Sequence, residues 1–167
     1  MFNEEIKVIV VDLDGTLTNG YYHVSDNGIL TKSFNTKDFW ALEMAQKQDL
    51  DIWILTGSTD GVIDAKMRHL PSYCKKRLTL YKGVENKDRW FESMFLMNRS
   101  LTWDNIAVIG DGGNDIEIAK KAAFSACPSD ALEDLKRVCV YVSTFEGGKG
   151  AVCDIVMYLC ALLKKRI

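Results

Sequence analysis

The segment Lys7-Val8-Ile9-Val10-Val11-Asp12-Leu13-Asp14-Gly15-Thr16 decides the fold. Consecutive β-branched residues with no polar alternation describe a strand covered on both faces, the mark of a parallel sheet. The run then breaks at an acidic turn that contains glycine. Two other segments follow the same pattern: Asp51 to Leu55 closed by Thr56-Gly57-Ser58, and Ile106 to Ile109 closed by Gly110-Asp111-Gly112-Gly113-Asn114-Asp115. Leu78 to Tyr81 and Val138 to Val142 read as further strands. Amphipathic stretches of helical period lie between them. One starts at Thr36 or Asp38, either of which can cap it, and carries Phe39, Trp40, Leu42 and Ala45. Others run from Asp60 to Leu70, from Asn86 to Met97, from Asn114 to Ala122 and from Ala151 to Leu163. Strands alternating with helices predict an α/β, Rossmann-like parallel sheet with helices on both faces. Tyr21 to Phe34, turning at Asn27-Gly28, predicts a protruding β-hairpin.

The chain has 167 residues, 47% of them hydrophobic, and no linker or repeat, which predicts a single domain over residues 1–167. With 21 Lys+Arg against 23 Asp+Glu the net charge is -2, so no overall field draws in nucleic acid. No apolar run approaches the roughly 20 residues of a membrane helix. Met1-Phe2-Asn3-Glu4-Glu5 has no signal-peptide pattern. The 5 cysteines are scattered and form no C-x-x-C pair, which suits reduced thiols and a cytoplasmic location.

Ligands of open parallel sheets bind beyond the carboxyl ends of the strands, so the three polar junctions are the candidate site. Asp12 and Asp14 stand two apart, and an extended chain would turn both carboxylates one way. Such a pair favours a shared proton or a divalent cation, although D-x-D at a strand end is often only turn chemistry. Asp111 adds hard oxygen ligands suited to Mg²⁺. Asp115 serves either as a helix cap or behind the metal ligands. Thr56 offers a hydroxyl, and Gly57 a backbone N–H, to an anionic oxygen. Lys87 opens a helix against the dipole, a local inconsistency that points to function.

In order along the chain, Asp12-x-Asp14-x-Thr16, Thr56 after a buried strand, Lys87, and Gly110-Asp111-x-x-x-Asp115 resemble the four motifs of the haloacid dehalogenase superfamily. The resemblance implies a phosphatase in which Asp12 is the nucleophile, forming an aspartyl-phosphate, and Asp14 is the acid and base. It also implies that Thr56, Gly57 and Lys87 bind the phosphoryl group, while Asp12, Asp14 (through its carbonyl) and Asp111 hold Mg²⁺.

The superfamily's cap domains are inserted after the first motif or before the Lys motif. Here the spans from Asp12 to Thr56 and from Thr56 to Lys87 are filled by the hairpin, two helices and a short strand. The chain therefore resembles the capless branch that acts on phosphates of eight- or nine-carbon 2-keto-3-deoxy sugar acids. Asp14 to Gly20, Ser33 to Asp38, Asn86-Lys87 and Gly147 to Val152 carry that likeness, and Ser58 stands where the eight-carbon enzymes tend to carry Arg. Ser58, Lys66, Arg68, His69 and Lys149 are the candidates for reading the substrate. The same stretches resemble the phosphatase-like C-terminal module of animal CMP-sialic acid synthetases, so a non-catalytic oligomerisation module is one alternative reading. A 3′-phosphatase of nucleic acid ends is the other. The branch implies a homotetramer whose neighbours replace the cap. The apolar hairpin is the expected contact; Lys164-Lys165-Arg166 either complement the dipole of the final helix, the simpler reading, or reach a neighbour's site.

Overall fold

The computed structural model describes residues 5–71 and 75–163. Its centre is a six-stranded parallel sheet in the order β5-β4-β1-β6-β7-β8. The strands are β1 (Val8–Val11), β4 (Asp51–Leu55), β5 (Leu78–Tyr81), β6 (Ile106–Ile109), β7 (Phe124–Cys127) and β8 (Tyr141–Val142). β2 (His23–Val24) and β3 (Leu30–Thr31) form the separate antiparallel hairpin. The helices are α1 (Thr36–Lys47), α2 (Val62–His69), α3 (Lys87–Met97), α4 (Ile116–Lys121), α5 (Glu133–Lys136) and α6 (Ala151–Leu162). The expected architecture is present. Between β1 and α1 the chain inserts only the turn at Leu13–Leu17 and the hairpin, so no cap domain follows the first motif.

β1 shows why the apolar run had to be continuous. Ile9 and Val11 enter a core shared with α1 and α6, while Val8 and Val10 enter a second core with Trp53, Phe91 and Ile118. Each fully buried aliphatic side chain contributes roughly 1.5–3 kcal/mol. The second core is aromatic: Trp53, Tyr81, Trp90, Phe91, Phe95 and Trp103 meet edge-on or tilted, except that Trp53 and Phe91 stack.

Three sequence expectations need correction. The chain has an additional strand, β7, which was not foreseen. β8 is only Tyr141–Val142, because the N–H groups of Val138 and Cys139 both turn back to the Leu135 carbonyl after α5. Neither Thr36 nor Asp38 caps α1: Asn35 does, its side chain accepting from the Lys37 N–H. Asp38 instead serves α6, its Oδ1 accepting the Cys153 N–H at 2.8 Å, with the N–H groups of Gly150 and Val152 beside it. It thereby joins α1 to the amino end of the helix it packs against. Lys164-Lys165-Arg166 lie outside the described residues.

Burial pushes the Asp38 carboxyl up to about 6, and the three backbone donors only partly oppose it. Its unfolded value is near 3.8, so between the two the folded state binds the extra proton. The resulting stabilisation is complete below about pH 4 and is lost as pH rises through about 6. Wild type should therefore gain on Asp38→Asn as pH falls from 7 to 4. Urea unfolding midpoints of the two proteins across that range test this. A constant difference would contradict it.

Candidate active site

The carboxyl ends of β1, β4 and β6 meet at one place. Asp12 continues β1 in extended conformation, and Leu13 turns inward to full burial. The chain then reverses at Gly15, whose φ is 92°. A Cβ at Gly15 would lie 2.1 Å from Asp111 Oδ2, so the close approach of the first and last motifs requires glycine. Across that contact Thr16 Oγ1 donates to Asp111 Oδ1 at 3.2 Å.

Lys87 resolves the inconsistency that its sequence position raised. Its side chain is 1% exposed and reaches into the sheet's end, 2.5 Å from Asp12 Oδ1 and 2.7 Å from Asp115 Oδ1. Asp115 is not a cap for α4, since its Oδ2 accepts the backbone N–H groups of Asp111 (3.3 Å) and Gly112 (3.2 Å). It fixes Lys87 and the Asp111 turn together.

Oxygens of Asp12, Asp111 and Asp115 lie within 4.8 Å of one another. Three carboxylates face one ammonium. Burial works against the Lys87 charge, but Asp12 and Asp115 outweigh it and hold the ammonium above its ordinary range. The carboxylates carry the strain instead. Burial pushes Asp12 up to about 8 despite the pull of Lys87, with Asp115 and Asp111 adding to the rise. Asp111 rises to about 6, from burial first and from Asp115 second. The uncompensated negative charge and hard oxygen donors suit a divalent cation. Asp115 already serves Lys87 and two N–H groups, which leaves Asp12 and Asp111 as the side chains free to hold a metal. Few protein ligands is the arrangement Mg²⁺ accepts, because it keeps several waters.

Thr56 directly follows β4 at 2% exposure, and its Oγ1 accepts the Ser58 N–H at 3.0 Å, which leaves the hydroxyl proton free to donate. Asp14 does not share a partner with Asp12. Its carboxylate sits at the mouth, 35% exposed, paired with Lys32. The mouth is a concavity lined by Asp14, Tyr22, Leu30, Lys32, Gly57, Ser58, Thr59 and Asp60. Of the five substrate candidates only Ser58 lines it. Lys66 Nζ lies 4.5 Å from the centre of the Phe39 ring. Arg68 and His69 are exposed on the last turn of α2, and Lys149 pairs with Glu146. Lys32 and Asp60 were missed in the sequence. Neither belongs to a motif, and their pairing spans 28 positions.

Gly147 and Gly148 pack backbone to backbone on the active-site turn. The Gly148 N–H donates to the Thr16 carbonyl at 3.0 Å, and a Cβ at Gly147 would lie 1.8 Å from the Gly15 carbonyl oxygen. Gly147→Ala should displace that turn, lowering stability by about 3 kcal/mol and depressing turnover further than stability alone explains. Urea unfolding and phosphate release check both. An unchanged midpoint would remove the glycine from this role.

No protein-family model matches the chain. In sequence it is 29% identical over 157 residues to the 3-deoxy-D-manno-octulosonate 8-phosphate phosphatase KdsC of Escherichia coli (strain K12), covering 92% of this chain and 80% of that protein. It is 23% identical over 163 residues to N-acylneuraminate cytidylyltransferase B of Danio rerio, covering 98% of this chain and 38% of that protein. Among solved structures, the 3-deoxy-D-manno-octulosonate 8-phosphate phosphatase of Moraxella catarrhalis, in complex with magnesium ion, phosphate ion and KDO, aligns with a TM-score of 0.85 at 23% identity. That alignment covers 95% of this chain and 88% of that one. The cobalt-bound form of the deoxy-D-mannose-octulosonate 8-phosphate phosphatase (YrbI) of Haemophilus influenzae aligns with a TM-score of 0.83 at 24% identity, over 98% and 92% of the two chains. The chain thus shares the fold of these solved structures, and no cap domain interrupts it between β1 and α1. In sequence its resemblance is to the 3-deoxy-D-manno-octulosonate 8-phosphate phosphatases.

Proposed function

We propose that this protein hydrolyses the phosphate ester of a 2-keto-3-deoxy sugar acid, with 3-deoxy-D-manno-octulosonate 8-phosphate as the first candidate. Phosphatase activity follows from the KdsC relatives together with the fold. The observation that supports the aspartyl-phosphate chemistry is the buried Lys87–Asp12–Asp115 cluster, set against Asp111 at the ends of β1 and β6, while the substrate class rests on the likeness to the KdsC relatives. Mg²⁺ held by Asp12, Asp111 and the Asp14 carbonyl would supply charge neutralisation at the phosphoryl oxygens. Asp12 attacks phosphorus through its outer carboxylate oxygen, steered by Lys87 on the other. Thr56 Oγ1 and the backbone N–H at Gly57 receive the phosphoryl oxygens, and Lys87 balances their charge. Asp14 gives its proton to the departing alkoxide. It then takes one from the water that cleaves the aspartyl-phosphate.

Release of phosphate from a panel of sugar-acid phosphates, sugar phosphates and nucleotides, with and without Mg²⁺, tests this reading. It predicts metal-dependent turnover with a preference for keto-acid phosphates. Turnover independent of divalent cations would sink the metal assignment. The match to the cytidylyltransferase favours a second reading, a non-catalytic oligomerisation module. Failure of BeF₃⁻ to form an adduct on Asp12 would support that reading over ours.

Oligomer formation belongs to the same proposal. Tyr21, Tyr22, Val24 and Ile29 lie 58–73% exposed on the hairpin, while Leu30 lines the mouth and Phe34 turns inward against Phe39. Such an apolar two-stranded element needs a partner surface. A homotetramer with its hairpins at the centre would wall each uncapped site. Sedimentation showing an active monomer would exclude it. Among the described residues no helix is long and apolar enough to cross a membrane. Among the described residues, Cys127, Cys139, Cys153 and Cys160 take part in no disulfide, which suits a reducing, cytoplasmic setting.

A further inference from the structure

The hairpin sends a buried cation into the site. Lys32 follows β3 with its side chain only 3% exposed, 2.8 Å from Asp14 Oδ1 and 2.6 Å from Asp60 Oδ2. Burying an ammonium is unfavourable by several kcal/mol unless its charge is met. A lysine beside an exposed hairpin strand would otherwise extend into water, so its two carboxylates must hold it inward. Asp60 is the fixed end. Its Oδ1 accepts the Val62 N–H at 2.8 Å, and its Oδ2 also accepts the Ser58 hydroxyl. Asp14 is the other end: Lys32 reaches both of its oxygens, at 2.8 and 2.9 Å, and Oδ1 also accepts from Thr18 Oγ1 at 3.4 Å. Lys32 therefore ties three segments together: the turn after β1, the hairpin, and the turn after β4.

We propose that Lys32 is a positioning residue for Asp14, anchored by Asp60, and that it holds the Asp14 carboxyl where a proton can pass to the leaving oxygen. The inference rests on the reading of Asp14 as the acid and base. In the first half-reaction an Asp12 oxygen forms the bond to phosphorus. The bond from phosphorus to the ester oxygen breaks with its electron pair on that oxygen, which takes the Asp14 proton. Lys32 gives up no proton and makes no bond to substrate. Its contribution is geometric: a partly exposed carboxyl samples several rotamers, and the ion pair selects one. The near-complete burial of its side chain sets Lys32 apart from a cation waiting for a substrate carboxylate.

The test uses kcat/KM, which includes steps only through departure of the leaving group. An alkyl phosphate, the sugar-acid phosphate, needs a proton on its leaving oxygen. p-Nitrophenyl phosphate leaves as a stable phenolate and does not. Lys32→Met should lower kcat/KM for the alkyl ester by about 10²-fold, carried mainly in kcat, a share of what general acid catalysis supplies. The aryl ester should lose no more than about 3-fold. Lys32→Arg should recover most of the alkyl activity, and Asp60→Asn should fall between wild type and Lys32→Met. If Lys32→Met does not fold, Asp60→Asn carries the test alone. Equal losses on both esters would make Lys32 merely structural and overturn the proposal. So would a loss confined to KM for the sugar acid. Asp14→Asn is the reference. If it fails to separate the two esters, the reading of Asp14 is wrong; if it separates them and Lys32→Met does not, only the positioning role fails.

Discussion

Asp12→Asn is expected to lower turnover by on the order of 10⁴-fold or more, with the fold intact. An amide oxygen is a poor nucleophile toward phosphorus, and no neighbouring group can replace it. Asp14 is turned to Lys32 at the mouth, Asp115 is committed to Lys87 and two N–H groups, and Asp111 sits behind Thr16. The amide fits the same space, and its oxygen can still accept from Lys87, which retains Asp115 as a charged partner. Burial already pushes the Asp12 carboxyl up to about 8, so losing its charge removes an electrostatic burden as well as a partner. The circular dichroism spectrum should match wild type, and BeF₃⁻ should no longer protect the protein against unfolding. Mass spectrometry excludes deamidation back to Asp. Retention of more than about a tenth of wild-type turnover in a verified Asn protein would take Asp12 out of the nucleophile role.

How much of this was legible in the sequence depended on how local each signal was. β1, β4 and β6 were readable because both faces of each are buried, which forces an unbroken apolar run. β7 is equally buried, yet its sequence Phe124-Ser125-Ala126-Cys127 is small and partly polar, and it follows α4 almost without a turn. Composition there could not separate a strand from the helix end. Val138 to Val142 misled for the opposite reason: an apolar run can line a turn as well as a strand. The motif carboxylates and Lys87 announced themselves through position, at strand ends and against a helix dipole. Lys32 announced nothing. A lysine between Thr31 and Ser33 on a hairpin reads as solvated, and only the fold brings Asp14 and Asp60 to it from 18 and 28 positions away. Gly147 shows an intermediate case. Its segment stood out as a likeness, but the reason for glycine, the Gly15 carbonyl against its Cα, exists only in three dimensions.

Lys87→Met tests whether charge balance, rather than packing, holds the centre of the site. Methionine matches the lysine stem in length and keeps the apolar contacts of a side chain that is 1% exposed. What disappears is the cation shared by Asp12 and Asp115, leaving carboxylates of Asp12, Asp111 and Asp115 within 4.8 Å of one another. Removing one partner from a buried ion pair costs about 3–5 kcal/mol, and the metal-free variant should lose stability in that range. Because the remaining site is more negative, Mg²⁺ should stabilise the variant more than it stabilises wild type, adding RT ln(1 + [Mg²⁺]/Kd) with a smaller Kd. Phosphate turnover should nevertheless stay depressed, by about 10²-fold or more, because the metal cannot replace the ammonium's contact with the Asp12 oxygen. Urea unfolding at several Mg²⁺ concentrations separates the two effects. A metal-free loss below about 1 kcal/mol would show that the carboxylates relieve one another by protonation instead. A Mg²⁺ response no larger than that of wild type would mean that Lys87 and the metal do not compete for the same negative charge.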